Sequence, residues 1–274
     1  MITHFNSRDL QRTLDSLPIE SGDLLFIHSN LGFFGRQEEA RSESFALCEM
    51  FFDAIMEKIA PTGTLVVPTF TYSFQLKKIY DPSEPIQTMG IFSEWIRCHP
   101  DASRSMDPCY SVAAIGSSAI SLIKELPSNS FGNNSFFDRF YKSSGKILNM
   151  NFDAGSTFIH FVERQLSVPY RFDKTFHGLI KKDGVLSPSS STIWVRYRSD
   201  DALQFDSKPF SNLAHSKGLF HQHPLGRGQI GLITAHDTYQ LIHDTLPMRP
   251  LFLTKAESMG VTDPCIIPES QGEV

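Results

Sequence analysis

The chain of 274 residues lacks a basic region, which argues against a nucleic-acid-binding protein. Its formal net charge is −5, and its longest Lys/Arg clusters are the pairs Lys77-Lys78 and Lys181-Lys182. Nucleic-acid-binding proteins usually carry a basic patch or stripe. No apolar run approaches the roughly 20 residues that a membrane helix needs. Residues 1–10 are polar and mixed in charge, unlike a signal peptide. These absences predict a soluble, cytoplasmic protein.

Several short motifs are also missing. The four cysteines form no CxxC pair, which is typical of structural thiols in a reducing compartment. The sequence contains no GxGxxG or Walker A motif for phosphate binding. It contains no GxSxG elbow of a serine hydrolase and no HExxH zinc helix. Dinucleotide-binding, P-loop and serine-hydrolase functions therefore have little support.

The chain is long enough to bury a large core without a disulfide or a metal. A chain of this size buries roughly 75% of the surface that its unfolded form exposes, and its 23 Phe supply much of the core volume. Up to about residue 168, apolar runs alternate with segments of helical spacing. Strands are predicted at residues 24–28, 64–70, 111–115 and 146–152, and helices at 6–17, 43–60, 90–98, 117–126 and 155–167. This alternation predicts an α/β fold with a mostly parallel sheet covered on both faces.

The pattern changes after residue 168. Residues 170–180 and 193–198, with a turn at Lys182-Asp183-Gly184, indicate antiparallel strands. A strand at 230–233 and a helix at 235–246 complete the predicted fold, and polar residues 256–274 resemble a loose tail. Because no linker or repeat interrupts the chain, we expect one domain over residues 1–274.

One predicted helix carries a candidate acid–base pair. On the helix 155–167, His160 and Glu163 are three residues apart and hence neighbours on its polar side. A carboxylate beside an imidazole raises its basicity and can fix its tautomer, which suits a general base. Spacing alone favours the simpler interpretation of a solvated helix face, because most such pairs are surface contacts.

Small and polar residues follow the early strands, where open α/β sheets bind ligands. The segment His28-Ser29-Asn30-Leu31 follows the first strand, and Pro68-Thr69-Phe70-Thr71 ends the second. Two further loops, Arg104–Ser111 and Phe131–Ser135, could hold a phosphate through helix-start amides or an arginine. Ordinary turn chemistry is the alternative for each of these segments.

A group of histidines raises the question of a metal site. Imidazole is a common metal ligand, and four histidines lie close in sequence: His215, His221, His223 and His236. Because His221-x-His223 lacks a fixed third partner, scattered surface histidines are the simpler interpretation, and we expect no metal. A metal-dependent hydrolase that uses these histidines is kept as an alternative of a different class.

Five short sequence motifs occur in an order that points to a known family. They are Gly22-Asp23 leading to His28-Ser29-x-Leu31 and Gly35, then Gly63–Thr71, Arg104-Ser105-x-x-Pro108-x-x-Ser111, Phe131-Gly132-x-x-Ser135 and Thr157-x-x-His160-x-x-Glu163. Any one of these phrases is weak, but the ordered series resembles the aminoglycoside 3-N-acetyltransferase family. The resemblance covers about residues 20–167 and continues weakly from Gly231 to Leu246.

The resemblance implies a three-layer αβα sandwich that transfers an acetyl group from acetyl-CoA directly to an amine. It identifies His160 with the proposed base of the family, and Glu163 as the support of that base. It implies a groove for coenzyme A lined by Ser29, Leu31, Thr69, Ser105 and Ser111, with Gly132 and Phe137 nearby. From the same loops, His28, Asn30, Pro68, Thr71 and Arg104 are further candidate cofactor contacts. A backbone amide or hydroxyl near Thr69 or Thr71 is the expected oxyanion donor.

Two departures from the family pattern bear on the acceptor. The family usually has His immediately before Pro108, where this chain has Asp107. Resistance enzymes of the family carry an acidic region after the base, whereas this chain has the basic and aromatic segment Tyr170–Gly178. We therefore expect a nucleotide-linked amino sugar of surface-polysaccharide biosynthesis, contacted by Tyr170, Arg171 and Lys174.

Other acceptors and other classes stay open at this point. An aminoglycoside, and hence antibiotic resistance, is the alternative acceptor. A non-catalytic protein that binds coenzyme A or a sugar is another alternative of a different class. The expected partner is a small-molecule amine, bound by a monomer or a homodimer.

Overall fold

The computed structural model describes residues 4–37 and 44–268. In chain order the strands are β1 His4–Phe5, β2 Leu24–Ser29, β3 Arg36–Gln37, β4 Thr64–Pro68, β5 Ser103–Arg104, β6 Val112–Gly116, β7 Lys146–Met150, β8 Arg171–Lys182, β9 Val185–Arg196, β10 His221–Leu225 and β11 Gly228–Thr234. The α-helices are α1 Ser7–Asp15, α2 Ser44–Ile59, α3 Gly90–Arg97, α4 Ala119–Ile123, α5 Phe136–Lys142, α6 Phe158–Gln165, α7 Lys208–Ser216, α8 Ala235–Thr245 and α9 Lys255–Met259. Across these two ranges, no helix combines the length and apolar character needed to cross a bilayer.

Seven strands form the central sheet, in the order β10-β11-β7-β2-β4-β6-β5. The three central strands β7, β2 and β4 are parallel neighbours. β11 and β6 run antiparallel to them, and β10 and β5 at the two edges return to the central direction. Five of the seven strands therefore share one direction, which confirms the predicted mostly parallel sheet.

Helices cover both faces of the sheet because its central strands are apolar on both sides. Phe26 of β2 packs into one core with residues of α4, α5, α6 and α8. Its neighbours Leu25 and Ile27 point to the opposite face and join residues of α1, α2 and α3. Successive side chains of a strand alternate between faces, so one short apolar strand serves two cores. The predicted sandwich of three layers is confirmed.

A separate antiparallel hairpin, β8–β9, follows α6. Each strand has 12 residues, from the pair Arg171↔Arg196 to the pair Lys182↔Val185. The predicted antiparallel part after residue 168 is thus confirmed, and its strands are longer than the apolar pattern indicated. The hairpin matters for function because its first residues lie against α6.

The predicted ends of the helices agree with the structure in some cases and differ in others. Asn6 and Asp9 form the capping box that begins α1, whereas α4 is shorter than the predicted 117–126 helix. Residue 43, where the second helix was predicted to start, lies outside the described residues, as do residues 269–274 of the predicted tail. Earlier in that tail, the Cys265 carbonyl accepts a hydrogen bond from Ser199 Oγ at 2.6 Å. The single-domain interpretation stays a prediction.

Candidate active site

The helix α6 brings His160 and Glu163 together in the protein interior. Its apolar residues belong to the core that also holds residues of β2, α5 and α8. Glu163 is fully buried, and the His160 side chain is only 17% exposed. The rings of Phe131 and Phe205 cover His160, with centroid distances of 6.1 and 4.9 Å. The solvated helix face suggested by spacing alone is therefore wrong, because loops pack over the polar side of α6.

Glu163 is the centre of a polar network. His160 Nδ1 lies 2.7 Å from Glu163 Oε2. The Tyr170 hydroxyl donates to Glu163 Oε1 at 3.0 Å. Arg171 Nε lies 2.9 Å from Glu163 Oε2 as an ion pair, and Arg171 Nη1 donates to the Trp194 carbonyl at 3.3 Å. The carboxylate thus has three partners, two of them from the residues at and just before the start of β8.

The charges of this network define the state of the imidazole. Burial alone would raise the pKa of Glu163, but Arg171 and the hydrogen bonds from His160 and Tyr170 hold that pKa below its usual value. Burial lowers the pKa of His160, Arg171 lowers it further, and Glu163 offsets only part of this effect. A neutral His160 donates Nδ1–H to the carboxylate, which leaves the Nε2 lone pair as a proton acceptor. This is the arrangement of a general base.

Tyr170 and Arg171, two of the predicted acceptor contacts, lie in the interior beside Glu163. Both were expected to contact the acceptor, but Tyr170 is fully buried and Arg171 is 8% exposed. Their polar groups contact Glu163, because the chain turns at the end of α6, where the Val168 amide donates to the Glu163 carbonyl, before the hairpin begins. Lys174, further along β8, lies with Nζ 5.8 Å from the centre of the Phe176 ring. A contact between Lys174 and the acceptor stays a prediction.

The loops after β4 and β5 form a second polar cluster around Arg104. Its guanidinium donates to the carbonyls of Pro82 and Glu84 at 2.8 and 3.1 Å. It also donates to Thr69 Oγ1, Thr69 O and Ser111 Oγ, at distances of 3.2, 2.9 and 3.3 Å. Arginine has five N–H donors, so all of them are occupied by protein oxygens. Arg104 braces this loop cluster, and a bond to a phosphate would have to replace one of these contacts.

Hydroxyl groups predicted to face the cofactor are also engaged in protein contacts. Thr69 Oγ1 donates to Ser111 Oγ at 3.0 Å, and Thr71 Oγ1 donates to the Pro108 carbonyl at 3.1 Å. Ser105 Oγ accepts from the Val112 amide at 2.9 Å. The hydroxyl protons of Thr69 and Thr71 are therefore committed within the protein. The structure does not favour either hydroxyl as the predicted oxyanion donor.

Other predicted cofactor residues serve the core or the turns. Leu31, Pro68 and Phe137 are buried, and Phe137 stacks on Phe131 with ring centres 5.0 Å apart. Gly132 lies in the turn that bears Phe131, and the Asn30 carbonyl accepts from Asn151 Nδ2 at 2.8 Å. Phe137 thus supports a ring that covers the base. Contacts of these residues with a cofactor stay predictions.

A cluster of unpaired polar atoms lies at the carboxyl ends of β2 and β7. His28 faces Asn149 across these strands, and Ser156 precedes α6. Within residues 4–37 and 44–268, both ring nitrogens of His28, Asn149 Oδ1 and Ser156 Oγ are buried without a hydrogen-bond partner, as is Ser29 Oγ nearby. Burial lowers the pKa of His28 to about 4, more than its neighbour Asn149 raises it. Sequence analysis missed Asn149 and Ser156, although an Asn inside an apolar strand is a recognisable signal.

Asp107, which stands where the family usually has His, closes a turn. Its Oδ1 accepts from the Cys109 and Tyr110 amides at 2.8 and 2.9 Å. Burial raises the pKa of this carboxyl despite those bonds and a Ser130 contact. Beside it, a cavity of about 600 Å³ lies between the loop 103–108, α4 and the hairpin. Lys182 also lines this cavity, which leaves space for a ligand next to the predicted cofactor loops.

The histidines considered as metal ligands are spread over several elements. His215 lies on α7, His221 and His223 on the edge strand β10, and His236 on α8. His215 packs against the Phe220 ring with centres 5.0 Å apart. Among the residues described, no group of three His, Cys, Asp or Glu side chains is placed to hold a metal ion.

Comparisons with known proteins agree with this architecture. A sequence model described as aminoglycoside 3-N-acetyltransferase matches residues 26–247. A structure of AAC-VIa bound to sisomicin is 23% identical, has a TM-score of 0.75, and the match covers 90% of this chain and 99% of that one. A binary complex of AAC-IIIb with CoASH is 18% identical, with a TM-score of 0.75 and coverage of 90% and 98%.

A third similar structure is the YokD protein from Bacillus subtilis, at 17% identity. Its TM-score is 0.69, and the match covers 87% of this chain and 97% of that one. At these identities the three likenesses establish the shared fold alone. A search of curated proteins finds no significant match.

Proposed function

The chain belongs to the aminoglycoside 3-N-acetyltransferase family, and from this premise we propose that it acetylates an amine of an amino sugar with His160 as the general base. The acetyl donor in this family is acetyl-CoA. The observation that carries the proposal is the buried pair of His160 Nδ1 and Glu163 Oε2 at 2.7 Å. That contact orients the imidazole so that Nε2 is the acceptor of the amine proton.

The proposed reaction is a direct transfer. The uncharged amine nitrogen attacks the thioester carbonyl carbon while His160 Nε2 takes the proton that the nitrogen loses. The carbon–sulfur bond then breaks, and the sulfur leaves with a proton returned from His160. The products are an amide and free coenzyme A. Glu163 stabilises the imidazolium that forms in between, because its carboxylate is held beside Nδ1.

We place an aminoglycoside ahead of a nucleotide-linked sugar as the acceptor. The structural neighbour AAC-VIa is bound to sisomicin, and the matching family model is described as aminoglycoside 3-N-acetyltransferase. The case for a nucleotide-linked sugar depended on Tyr170, Arg171 and Lys174 at the acceptor, and the first two are buried against Glu163. A contact between Lys174 and an anionic acceptor stays a prediction.

The decisive experiment measures thiol release from acetyl-CoA with two acceptor classes. Sisomicin and gentamicin represent aminoglycosides, and UDP-linked amino sugars represent the alternative. We expect release above buffer hydrolysis with the aminoglycosides. Release with the UDP-sugars alone would reject our choice of acceptor, and release with neither class would count against amino-sugar acetylation altogether. Coenzyme A binding without turnover on a broad amine panel would favour the non-catalytic alternative.

A further inference from the structure

We propose that Arg171 is a positioning residue that keeps both the base His160 and the incoming amine in their uncharged, reactive forms. The inference rests on the proposed function and extends it to a residue that touches neither substrate. It concerns the charge of the site rather than its shape. An amine can attack a thioester only as the free base, and His160 can accept its proton only when neutral.

The geometry places Arg171 where it can act in this way. Its Nε lies 2.9 Å from Glu163 Oε2, the same oxygen that His160 Nδ1 approaches at 2.7 Å. The Arg171 and Glu163 side chains are 7% and 0% exposed, so water screens their interaction little. Arg171 Nη1 is anchored on the Trp194 carbonyl of the partner strand β9. One carboxylate oxygen is thus shared by the base and a fixed cation.

The balance of charges shows what Arg171 changes. A His–Glu pair alone carries one negative charge, which favours a protonated imidazole and attracts an ammonium ion. With Arg171 in place, the carboxylate is neutralised and the site carries no net charge while His160 is neutral. The protonated forms of both the imidazole and the acceptor amine are then disfavoured. Arginine suits this role because its guanidinium stays charged in proteins.

Within the described ranges, no further charge faces His160 from the elements packed around it. The charged groups that act on it are Glu163 on its own helix and Arg171 on β8. The loops at Phe131 and Phe205 present aromatic rings to it. One position beyond Glu163, Arg164 pairs with Asp173 at 2.7 Å and adds no net charge. Arg171 is therefore the cation that balances Glu163.

The test compares the pH dependence of kcat, which reports protonation in the enzyme–substrate complex, in Arg171→Gln and Arg171→Lys. In Arg171→Gln the acid limb should move to higher pH, and the fraction of plateau activity kept at pH 6 should fall at least ~3-fold, since a nearby charge commonly shifts such an equilibrium tenfold or more. Arg171→Lys keeps the charge and should retain the wild-type limb. A lower plateau with an unmoved limb in Arg171→Gln would show a purely structural role and overturn the inference.

A second measurement is independent of activity and compares the wild-type protein with Arg171→Gln. The NMR titration of His160, assigned by comparison with His160→Ala, should show a pKa below that of an ordinary histidine in the wild-type protein and a higher pKa in Arg171→Gln. The same pKa in both proteins would overturn the inference even if the enzyme is active. Conversely, a His160 pKa that rises in Arg171→Gln, in a protein without acetyl transfer, would leave the charge effect of Arg171 standing and reject the proposed function.

Discussion

Two imidazoles lie on the same face of the sheet, and the hydrogen-bond partners of their ring nitrogens differ. His160 is bonded to Glu163, which is itself held by Tyr170 and Arg171. In the described part of the chain, both ring nitrogens of His28 are buried without a partner. Burial lowers the pKa of both rings, but only His160 has a partner that fixes its tautomer. Burial alone therefore makes a neutral histidine, and a partnered carboxylate turns it into an oriented base.

Removal of the proposed base His160 should have the largest effect on activity. His160→Ala should lower kcat by ~10²-fold or more, because a positioned general base typically contributes that much. Thiol release from acetyl-CoA with a saturating amine measures the effect. The matched control is His221→Ala, on the exposed edge strand β10, which should keep wild-type turnover. Unchanged turnover in His160→Ala would show that another residue is the base.

The second prediction removes the partner of the base. Glu163→Gln leaves Arg171 buried without a counter-charge, and breaking a buried ion pair costs about 3 kcal/mol or more. The free energy of unfolding, measured with urea, should fall by that amount. The double variant Glu163→Gln/Arg171→Gln should recover at least about 1 kcal/mol of the loss, since it buries no unpaired charge. A double variant less stable than Glu163→Gln would argue that the two charges act independently.

The third prediction concerns the unpartnered imidazole. The pKa of His28 is about 4 in the folded protein, compared with 6.5 for an ordinary histidine in the unfolded chain. Between pH 6.5 and pH 4, the unfolded chain therefore binds a proton on His28 that the folded chain does not bind. The stability associated with neutral His28 is thus complete above pH 6.5. As the pH falls from 6.5 to 4, roughly 3 kcal/mol is lost.

Urea unfolding at pH 7 and pH 4.5 measures this loss. His28→Asn should flatten the pH dependence, because its side chain does not titrate, whereas the exposed control His221→Asn should retain the wild-type slope. An equal slope in His28→Asn and the wild-type protein would show that His28 has a partner in solution that stabilises its charged form.

Much of the fold follows from local sequence. The apolar runs Leu24–Ile27 and Leu65–Val67 specify buried central strands, because successive side chains alternate between the two faces and are apolar on both. The His160–Glu163 spacing also sufficed to predict a contact, since residues three apart on a helix are neighbours. These are short-range relations, and a sequence displays them directly.

What sequence analysis missed depends on contacts between distant segments. The sequence of Tyr170 and Arg171 indicates an exposed, cationic start of a hairpin, and only the folded structure shows that both side chains contact Glu163. Arg104 likewise looks available until the loop at Pro82 and Glu84 folds over it. A polar residue in a loop predicts a polar contact, but the three-dimensional path of the chain decides whether that contact is a ligand or the protein itself.

The start of the hairpin has a consequence for how relatives of this protein can be recombined. The segment that follows α6 is where we expected acceptor preference to vary, and its first residues also hold the carboxylate of the proposed base. Replacing the whole hairpin with that of a relative would therefore replace the residues that hold Glu163 as well as the surface expected to contact the acceptor. A chimera joined after Arg171 would keep Tyr170 and Arg171 and exchange only the surface expected to contact the acceptor. Chimeras joined before Tyr170 and after Arg171 would therefore distinguish an effect on acceptor selectivity from an effect on the rate of the base.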